Sequence, residues 1–547
     1  MAGDRTAEMF PRLTATQIER MAALGHERAL HAGEIVFEQG EESTKFFVLL
    51  EGEIAVVHPY GDVEDPVVVH QPGQFTGEIN VLAGRRSLVR GRATRASRVL
   101  ELDRSALRTI VAADSELSEI LMRAFILRRV GLIAAGQGDV VLLGSRHSAG
   151  TLRIQEFLTR NGHPYSMIDV EQDPPAQSLL DHFHVAISDV PIVICRGQAV
   201  LKNPTTEELA ECLGYTDTLD DAKLRDIVVV GAGPAGLAAA VYGSSEGLDV
   251  LVLESMAPGG QAGSSSKIEN YLGFPTGISG NALAGRALTQ AEKFGTDVAI
   301  ARTATKLACD RRPYRIELAG GASVLARTVV IASGARYHKP EQLPNLARYE
   351  GLGVYYSATA VEARRCGDDE VIVVGGGNSA GQATVYLART ARRVHVVVRR
   401  ELASTMSRYL IRRIEDTPNI EVHVHSEIVE LGGEPELATV TCMHKPSGER
   451  ITRPVRHVFM MTGASPNTEW LGGCVAVDEK GFVKSGADLS AHDLEGWPLS
   501  RSPYLFETNL PGVFAVGDVR ATSVKRVASA VGEGSICIQL VHKVLTE

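Results

Sequence analysis

The segment DIVVVGAGPAG, Asp226–Gly236, decides the fold of the larger part of this chain. Its apolar run is typical of a buried strand, and the alanine-rich residues after the last glycine predict a helix. In Gly231-x-Gly233-x-x-Gly236 the first glycine permits a tight turn, the second lets the backbone approach a pyrophosphate, and the third lets the helix pack on the strand. Glu254 ends the next strand, where a carboxylate would accept a hydrogen bond from a ribose hydroxyl. The segment therefore predicts a dinucleotide-binding unit.

The same pattern restarts near Glu370, where VIVV leads into GGGNSA. Here the second strand, RVHVVV, ends in Arg399 and Arg400 instead of an acid. A carboxylate would repel a 2′-phosphate, whereas two guanidiniums can bind one through charge-assisted hydrogen bonds, so this loop favours NADPH over NADH. The alternative is a solvated basic turn. The candidate residues for this second nucleotide are Gly375, Gly377, Asn378, Ser379, Ala380, Arg399, Arg400 and Arg408.

Length and composition set the broad class of protein. A chain of 547 residues is too long for one core and predicts several domains. No apolar run reaches bilayer length, and the start, MAGDRTAEMF, lacks the regions of a signal peptide. We therefore predict a cytoplasmic chain with no membrane partner. The net charge of −10 argues against a nucleic-acid partner.

The seven cysteines show no Cys-x-x-Cys spacing of a redox or zinc motif. We expect scattered, buried and unpaired thiols in a reducing compartment, and no metal site. The cysteines are Cys195, Cys212, Cys309, Cys366, Cys442, Cys474 and Cys537.

Further motifs accompany the two loops, the strongest being TNLPGVFAVGD, which ends at Asp518. Others are Gly259-Gly260-Gln261, Glu269-Asn270-Tyr271, Ala332-Ser333-Gly334 and Ser465-Pro466-Asn467. With them, residues 226–547 resemble the thioredoxin-reductase family of pyridine-nucleotide flavoenzymes. The resemblance implies two doubly wound α/β units, with an NADPH domain inserted in an FAD domain. It also implies a homodimer and a rotation of the NADPH domain.

The resemblance also implies roles for single residues. Asp518 would accept a hydrogen bond from the ribitol chain, and Gln261 and Asn270 would lie near the isoalloxazine. The helix opening after Lys525-Arg526-Val527-Ala528 would sit against the flavin, where Lys525 and Arg526 either stabilise the anionic reduced flavin or are solvated. The candidate FAD residues are Gly231, Gly233, Pro234, Ala235, Gly236, Glu254, Gly260, Gln261, Asn270, Gly334, Gly517, Asp518, Arg526, Val527 and Ala528.

The chain departs from the family where the redox disulfide would lie. Ser357 and Ala360 stand at the two cysteine positions, and Val361 replaces a nearby acid. A hydroxyl and a methyl group cannot form a disulfide, so no catalytic residue is assigned and internal dithiol chemistry is excluded. An extra stretch, residues 491–508, covers the flavin face, reshapes the interdomain cleft or is a surface loop, and we favour the surface loop.

Residues 139–215 contain the strand VVLLG, a helix from about Gly150, and a Val190-Pro191 step into another strand. They resemble a glutaredoxin or thioredoxin-like domain, in which the equivalent proline is cis. Where that domain would carry cysteines the chain reads GSRHSAG, so we expect the fold without its dithiol and a docking or spacer role. His147 in that stretch is expected to be structural or solvated.

In the front block, HAGEIVFEQGEESTKFFVLLEGEIAVV is followed by PGQFTGEINVLAGRRSLVRGRAT. Residues 27–108 thus resemble the cyclic-nucleotide-binding domain. This implies that Gly77 and Glu78 contact a ribose hydroxyl, and that Arg86 and Ser87 contact a cyclic phosphate. The intervening loop is short and Leu88 replaces a small residue. The alternative is a degenerate domain used for dimerisation or for contact with the flavoenzyme.

These patterns predict a multidomain chain with a β-roll, a thioredoxin-like α/β domain and two dinucleotide-binding domains. The boundaries are a cyclic-nucleotide-binding-like domain at 1–132, a thioredoxin-like domain at 137–215, a linker at 216–225, FAD-domain parts at 226–345 and 463–547, and an NADPH domain at 346–462.

The function expected is an NADPH-dependent FAD oxidoreductase that passes electrons to a ferredoxin or flavodoxin, a quinone, free flavin, oxygen or a partner disulfide. The front domain would regulate it. One alternative is a redox- or cyclic-nucleotide-responsive sensor or scaffold with incidental turnover. A weaker alternative is a thioredoxin-disulfide reductase.

Overall fold

The computed structural model describes residues 6–42, 45–60, 63–77, 80–83, 85–135, 140–145, 148–170, 189–195, 199–215, 219–220, 222–265, 267–340, 342–356, 358, 360–434 and 436–547. The helices are α1 Thr6–Met9, α2 Ala15–Ala22, α3 Asn80–Ala83, α4 Arg104–Ala113, α5 Ser115–Ala135, α6 Ala149–Arg160, α7 Thr206–Cys212, α8 Pro234–Ser245, α9 Gly260–Gly263, α10 Gly280–Lys293, α11 Leu346–Tyr349, α12 Ala360–Arg365, α13 Asn378–Leu387, α14 Arg408–Glu415 and α15 Val527–Thr546.

The strands are β1 His26–Leu30, β2 Ile35–Phe37, β3 Lys45–Glu51, β4 Ile54–Tyr60, β5 Val63–His70, β6 Arg90–Ala93, β7 Ser97–Asp103, β8 Val140–Gly144, β9 Tyr165–Asp169, β10 Ile192–Cys195, β11 Ala199–Lys202, β12 Leu224–Val230, β13 Val250–Glu254, β14 Asp297–Ile300, β15 Ala304–Ala308, β16 Tyr314–Leu318, β17 Ser323–Ile331, β18 Ala335–Tyr337, β19 Val354–Tyr355, β20 Glu370–Val374, β21 Arg393–Val397, β22 Ile420–His423, β23 Ser426–Gly432, β24 Thr439–His444, β25 Arg450–Arg453, β26 His457–Met460, β27 Ala464–Pro466 and β28 Val513–Ala515.

The front block forms two small antiparallel sheets, ordered β1-β7-β3 and β2-β6-β4-β5. Phe46, Phe75 and Phe125 meet in its core with ring centroids 5.6 to 6.1 Å apart. Phe125 belongs to α5, so the long helix that follows the sheets closes their core. Burying three aromatic rings is a large hydrophobic contribution for one small unit.

The middle block, which is the thioredoxin-like segment at residues 139–215, has a four-stranded sheet ordered β11-β10-β8-β9. β8 runs parallel to β9 and antiparallel to β10, and α6 connects β8 to β9. The Val190–Pro191 peptide bond is cis. Arg146 and His147, from the stretch where a dithiol would stand, lie outside the described residues.

The first nucleotide loop belongs to a seven-stranded sheet ordered β14-β13-β12-β17-β16-β15, with β28 also paired to β17. The central strands β12, β13, β14 and β28 run parallel to their neighbours in this order, as a doubly wound fold requires. α8 and α15 pack closely beneath them, because Gly534 of α15 lies against the Ala235 carbonyl oxygen with no room for a Cβ.

The second loop belongs to a separate parallel sheet ordered β19-β26-β20-β21-β22. A meander, β23-β24-β25, packs beside it. The chain enters this unit through β18 and leaves it through β27, and these two segments pair as an antiparallel ribbon in which Tyr337 opposes Ala464. Both connections between the units therefore run through one narrow ribbon.

The blocks contact each other through buried polar groups. Arg85 of the front block forms an ion pair of 2.7 Å with Glu292 of α10, and both side chains are almost fully buried. The same guanidinium lies 5.2 Å from the ring centroid of Tyr215 in the middle block. A buried charge pair is costly to break on one side only, so this contact stabilises the junction of the three blocks.

The prediction of unpaired cysteines is wrong for four of them, because Cys195 bonds Cys212 and Cys309 bonds Cys474. The paired cysteines are 17 and 165 residues apart in the sequence, and neither separation is that of a known motif. The spacing of the cysteines therefore does not predict these bonds. Among the described helices, none combines the length and apolar character that crossing a bilayer demands.

Candidate cofactor sites

The first glycine loop has the geometry of a pyrophosphate cradle. Gly231 has φ +107°, and a Cβ there would overlap the Ala332 carbonyl oxygen. A Cβ at Gly236 would overlap the Gly231 carbonyl oxygen, so the helix packs directly on the turn. A Cβ at Gly233 would meet no protein atom within 4 Å. The space beside Gly233, at the N-terminus of α8, is therefore open to an anion.

Glu254 lies at the end of β13 with only 8% of its surface exposed. Its carboxylate accepts hydrogen bonds from the backbone N–H groups of Ala232 at 2.8 Å, Met256 at 2.9 Å and Ala257 at 3.2 Å. The acid thus holds the glycine loop and the following turn in place, a role additional to the ribose contact that its position suggests.

The motif TNLPGVFAVGD brings Asp518 close to the start of α15. Burial raises the pKa of Asp518, and the Lys525 ammonium donates to the Asp518 backbone carbonyl at 2.6 Å. Arg526 is the N-cap of α15 and has no side-chain cap bond, and Val527 and Ala528 form its first turn. The positive end of this 20-residue helix therefore faces the segment that carries Asp518.

Gln261, Asn270 and Gly260 are further candidate FAD residues. Gln261 donates from its side-chain amide to the Ala335 carbonyl oxygen, next to Gly334, which has φ +66°. Asn270 is exposed. Gly260 opens the short helix α9, and its carbonyl oxygen accepts a hydrogen bond from a different block of the chain.

Arg160, in the last turn of α6 in the middle block, donates a hydrogen bond of 2.8 Å to the Gly260 carbonyl oxygen. Asn161 donates to the Met256 carbonyl at 3.1 Å. Tyr337 is close enough to Asp518 and Arg160 to feel both charges. Burial raises the pKa of the Tyr337 phenol, the charge of Asp518 raises it further, and the charge of Arg160 lowers it. Sequence reasoning missed Arg160 and Tyr337 because neither stands in a motif.

In the stretch 491–508, Arg501 and Tyr504 contact the C-terminal end of α15. Arg501 forms ion pairs with Glu507 at 2.7 Å and with Glu547 at 2.6 Å. The Tyr504 hydroxyl also donates to Glu547 at 2.9 Å. Glu547 follows the last turn of α15, roughly 30 Å along the helix from its N-terminus. Arg501 and Tyr504 thus contact the end of α15 opposite to Asp518, whereas Phe506 of the same stretch is buried in the core with its ring centroid 5.3 Å from the Arg520 guanidinium.

The second glycine loop repeats the cradle. A Cβ at Gly375 would overlap the Met461 carbonyl oxygen, whereas Gly377 has open space around it. Gly377 is the N-cap of α13, whose first residues are Asn378, Ser379 and Ala380. The Asn378 side-chain oxygen accepts from the Ser407 backbone N–H at 2.7 Å, which places the start of α14 beside the loop.

Three guanidiniums lie at this end of the sheet. Arg399 and Arg400 follow β21, and Arg408 begins α14. All three are exposed, and none forms an ion pair with any residue that the structure describes. Unpaired guanidiniums beside a glycine loop suit a phosphate ester.

The structure describes part of the segment that would carry a redox disulfide. Ser357 and Thr359 lie outside the described residues, and α12 begins at Ala360. The free cysteines of this inserted unit are Cys366 and Cys442. Burial raises the pKa of Cys366 to about 12 and that of Cys442 to about 11. Neither thiol is a nucleophilic thiolate near neutral pH.

The front block encloses a cavity of about 210 Å³, to which Gly77 and Ser87 contribute. Arg128 of α5 lines it, donating to the Gly77 carbonyl at 2.6 Å and to the Met9 carbonyl at 2.9 Å. Its guanidinium lies 4.7 Å from the ring centroid of Phe75. Among the described residues, the long helix therefore supplies one of the two cations that line this cavity, and Lys45 of β3, which is paired with Glu101, is the other.

The two other predicted ligand residues of this cavity are placed differently. Glu78 lies outside the described residues. Arg86 is not among the described residues that line the cavity, and it donates to the Gly40 carbonyl at 3.4 Å. The Arg86 side chain instead packs against Gly214, where a Cβ would overlap it. The contact between front and middle blocks thus holds the arginine that we expected at a cyclic phosphate.

His70 in the same cavity predicts an acid sensitivity. Burial, and then the Arg128 charge, lower the pKa of His70 to about 3. Below pH 6.5 the unfolded chain takes up a proton that the folded domain refuses, so stability falls by about 1.4 kcal/mol per pH unit. From pH 6.5 to 5 we expect about 2 kcal/mol of extra destabilisation in wild type relative to His70→Gln. Hydrogen exchange of β3 and β5 peptides measures it.

The matched control for that experiment is His31→Gln, at an exposed position of the same block. It is expected to follow wild type at every pH. If His70→Gln and wild type lose protection in parallel on acidification, His70 is not the group responsible.

Comparison with known proteins agrees with this geometry. Residues 225–534 match the family described as pyridine nucleotide-disulphide oxidoreductase, and residues 27–114 match the cyclic nucleotide-binding domain. The thioredoxin reductase of Bacillus subtilis strain 168 is 32% identical over 330 residues, which cover 60% of this chain and 97% of that protein. The NADPH-dependent thioredoxin reductase 3 of Arabidopsis thaliana is 28% identical over 59% of each chain.

Among solved structures, the thioredoxin reductase of Lactococcus lactis in its FR conformation is similar, with 28% identity and a TM-score of 0.53. The similarity covers 59% of this chain and 99% of that one.

Proposed function

This chain belongs to the pyridine nucleotide-disulphide oxidoreductase family, as a thioredoxin-reductase-like, FAD-containing and NAD(P)H-dependent enzyme, and we propose that its electrons pass to an acceptor outside the chain. The observation that carries the proposal is the pair of open glycine cradles, one beside Gly233 and one beside Gly377. Between them, the segment 357–360 contains no cysteine. When bound, FAD would supply hydride acceptance from NADPH and electron release to the acceptor.

We assign the FAD site to the first loop, Glu254, the segment around Gly260 and Gln261, and the turn from Gly517 into α15. The support is geometric, because the N-terminus of α8 and that of α15 both direct backbone dipoles toward anionic groups. The NADPH site is assigned to the second loop with Arg399, Arg400 and Arg408. Their lack of acidic partners among the described residues supports a 2′-phosphate.

The thioredoxin reductases among the relatives favour the rival proposal that this chain reduces thioredoxin directly. The residues at positions 357 and 360 oppose it, since serine and alanine cannot form the required disulfide. Cys366 does not substitute, because it is fully buried and protonated near neutral pH.

We expect the FAD-loaded chain to bleach when NADPH is added without oxygen, and to show no turnover with thioredoxin alone. Anaerobic stopped-flow absorbance measures bleaching, and steady-state NADPH oxidation measures turnover with a ferredoxin, a flavodoxin, a quinone, free flavin, oxygen or a disulfide-bearing protein. A Cys366→Ser variant is the matched control and is expected to behave as wild type. Robust thioredoxin reduction by the purified chain would contradict the proposal of an outside acceptor.

The middle block is proposed to be a thioredoxin-like domain that docks and does not carry electrons. Its strand order supports this, as does the placement of Arg160 on the Gly260 carbonyl and of Asn161 on the Met256 carbonyl. Through these contacts the block covers one side of the proposed flavin-binding segment. A homodimer is proposed on the resemblance to the thioredoxin reductases.

A second candidate function is a ligand-responsive sensor, and the front cavity is the observation that favours it. The cavity holds the buried Arg128, and Arg85 links the same block to α10. NADPH oxidation with and without cyclic AMP or cyclic GMP separates the two functions. Slow oxidation with every acceptor, together with ligand-dependent changes in assembly, would favour the sensor.

A further inference from the structure

Three potential metal ligands meet on one face of the inserted unit's parallel sheet. His395 lies in β21, and Glu421 and His423 lie in the neighbouring strand β22. His395 pairs in register with Glu421, and residues two apart on a strand share a face. All three side chains therefore point to the same side of the sheet.

The distances between the ligand atoms are those of one shared ion. His395 Nδ1 lies 3.1 Å from His423 Nε2 and 3.5 Å from Glu421 Oε2. His423 Nε2 lies 3.6 Å from Glu421 Oε1. Ligands of tetrahedral zinc sit about 2.0–2.2 Å from the ion and hence roughly 3.3–3.6 Å from one another. The triangle needs only small adjustments to accept an ion.

A fourth residue orients the buried imidazole. His395 is 2% exposed, and its Nε2 lies 3.2 Å from Glu370 Oε2. If that nitrogen donates to the carboxylate, the Nδ1 lone pair faces Glu421 and His423. Carboxylates commonly orient metal-binding histidines in this way.

Cations surround the cluster and compete with a metal for its acids. Arg393 lies 3.5 Å from Glu421. The Arg392 guanidinium lies 3.4 Å from Glu370. The Glu421 side chain is 46% exposed, so it can turn from Arg393 to an ion without disturbing the core.

We propose that His395, His423 and Glu421 form a site for a divalent transition metal, with Zn²⁺ as its occupant and Glu370 as the positioning residue. Two imidazoles and one carboxylate suit zinc, whereas Mg²⁺ and Ca²⁺ prefer oxygen ligands throughout. The fourth position faces the solvent side of His423 and Glu421 and is filled by water. The ion links β21 to β22, two strands of the proposed NADPH domain.

The test compares zinc binding by the untagged full-length chain with that of a Glu421→Gln/His423→Gln variant. Both proteins are stripped with a chelator, supplied with Zn²⁺ and desalted, and zinc per chain is measured by plasma mass spectrometry. We expect wild type to retain one more equivalent than the variant, and competition with a chromophoric chelator to show at least about 100-fold tighter binding at that site. Co²⁺ in wild type is expected to give the intense visible bands of a four-coordinate ion.

The matched control is His492→Ala, which removes an exposed His–Glu pair with a separation of 3.1 Å but no second imidazole. It is expected to bind zinc as wild type does. Equal zinc in wild type and the double variant would overturn the proposal and leave a simple hydrogen bond between the two histidines. FAD content and hydrogen exchange of β20 confirm that the double variant is folded.

Discussion

Replacing Gly233 with alanine is expected to leave the purified chain folded but with less than about a tenth of its FAD. Gly233 has φ −71°, which alanine adopts readily, and the added Cβ meets no protein atom within 4 Å. The same methyl group would fill the space in which the backbone must approach a pyrophosphate. The flavin absorbance per mole of protein after desalting measures the loss, and far-UV circular dichroism reports the fold.

Two further variants make this result specific. Gly285→Ala, in α10, adds a Cβ that also meets nothing within 4 Å and is expected to keep its flavin. Gly236→Ala is expected to lose both flavin and stability, because its Cβ overlaps the Gly231 carbonyl oxygen within the protein itself. Full flavin occupancy in Gly233→Ala would show that the first loop does not hold the pyrophosphate.

Removing both Arg399 and Arg400 is expected to lower kcat/KM for NADPH by about two orders of magnitude and to leave that for NADH nearly unchanged. A hydrogen bond to a charged group contributes about 1.5–3 kcal/mol, and exposure reduces this toward the lower figure. Two such contacts to a 2′-phosphate therefore account for about 100-fold in preference. Initial rates of anaerobic flavin reduction with each nucleotide measure the effect.

Arg389→Ala is the matched control for the double variant. Arg389 is also exposed, but it follows the C-terminal end of α13, whereas Arg399 and Arg400 lie near the helix N-terminus. It is expected to keep the wild-type preference. Equal losses with NADPH and NADH in the Arg399→Ala/Arg400→Ala variant would place the two arginines in general nucleotide binding and not at a 2′-phosphate.

The nucleotide loops were predictable because their requirements are local. Gly231, Gly236 and Gly375 stand where a Cβ would overlap a backbone oxygen, and such steric demands appear directly in the sequence. The location of Glu254 at the end of a strand was predictable, but its hydrogen-bond partners were not. Its bonds to three backbone amides depend on how the following turn folds back.

Other features arise only when distant segments meet. Arg128 enters the front cavity from a helix far along the chain, while Arg86, closer to the motif, turns to Gly214. Arg160 reaches Gly260 from another block, and Cys309 meets Cys474 across 165 residues. The His395 cluster depends on the register of two parallel strands. No spacing rule encodes these pairings, because each depends on tertiary packing.

The β18–β27 ribbon has a consequence for how this protein could change over evolutionary time. Since Tyr337 and Ala464 are register partners, the inserted unit begins and ends at one point in space. Its sheet shares no strand with the seven-stranded sheet. The inserted unit can therefore be deleted, duplicated or exchanged for another domain by closing a single short gap in the chain. The sheet that carries the first glycine loop would remain whole.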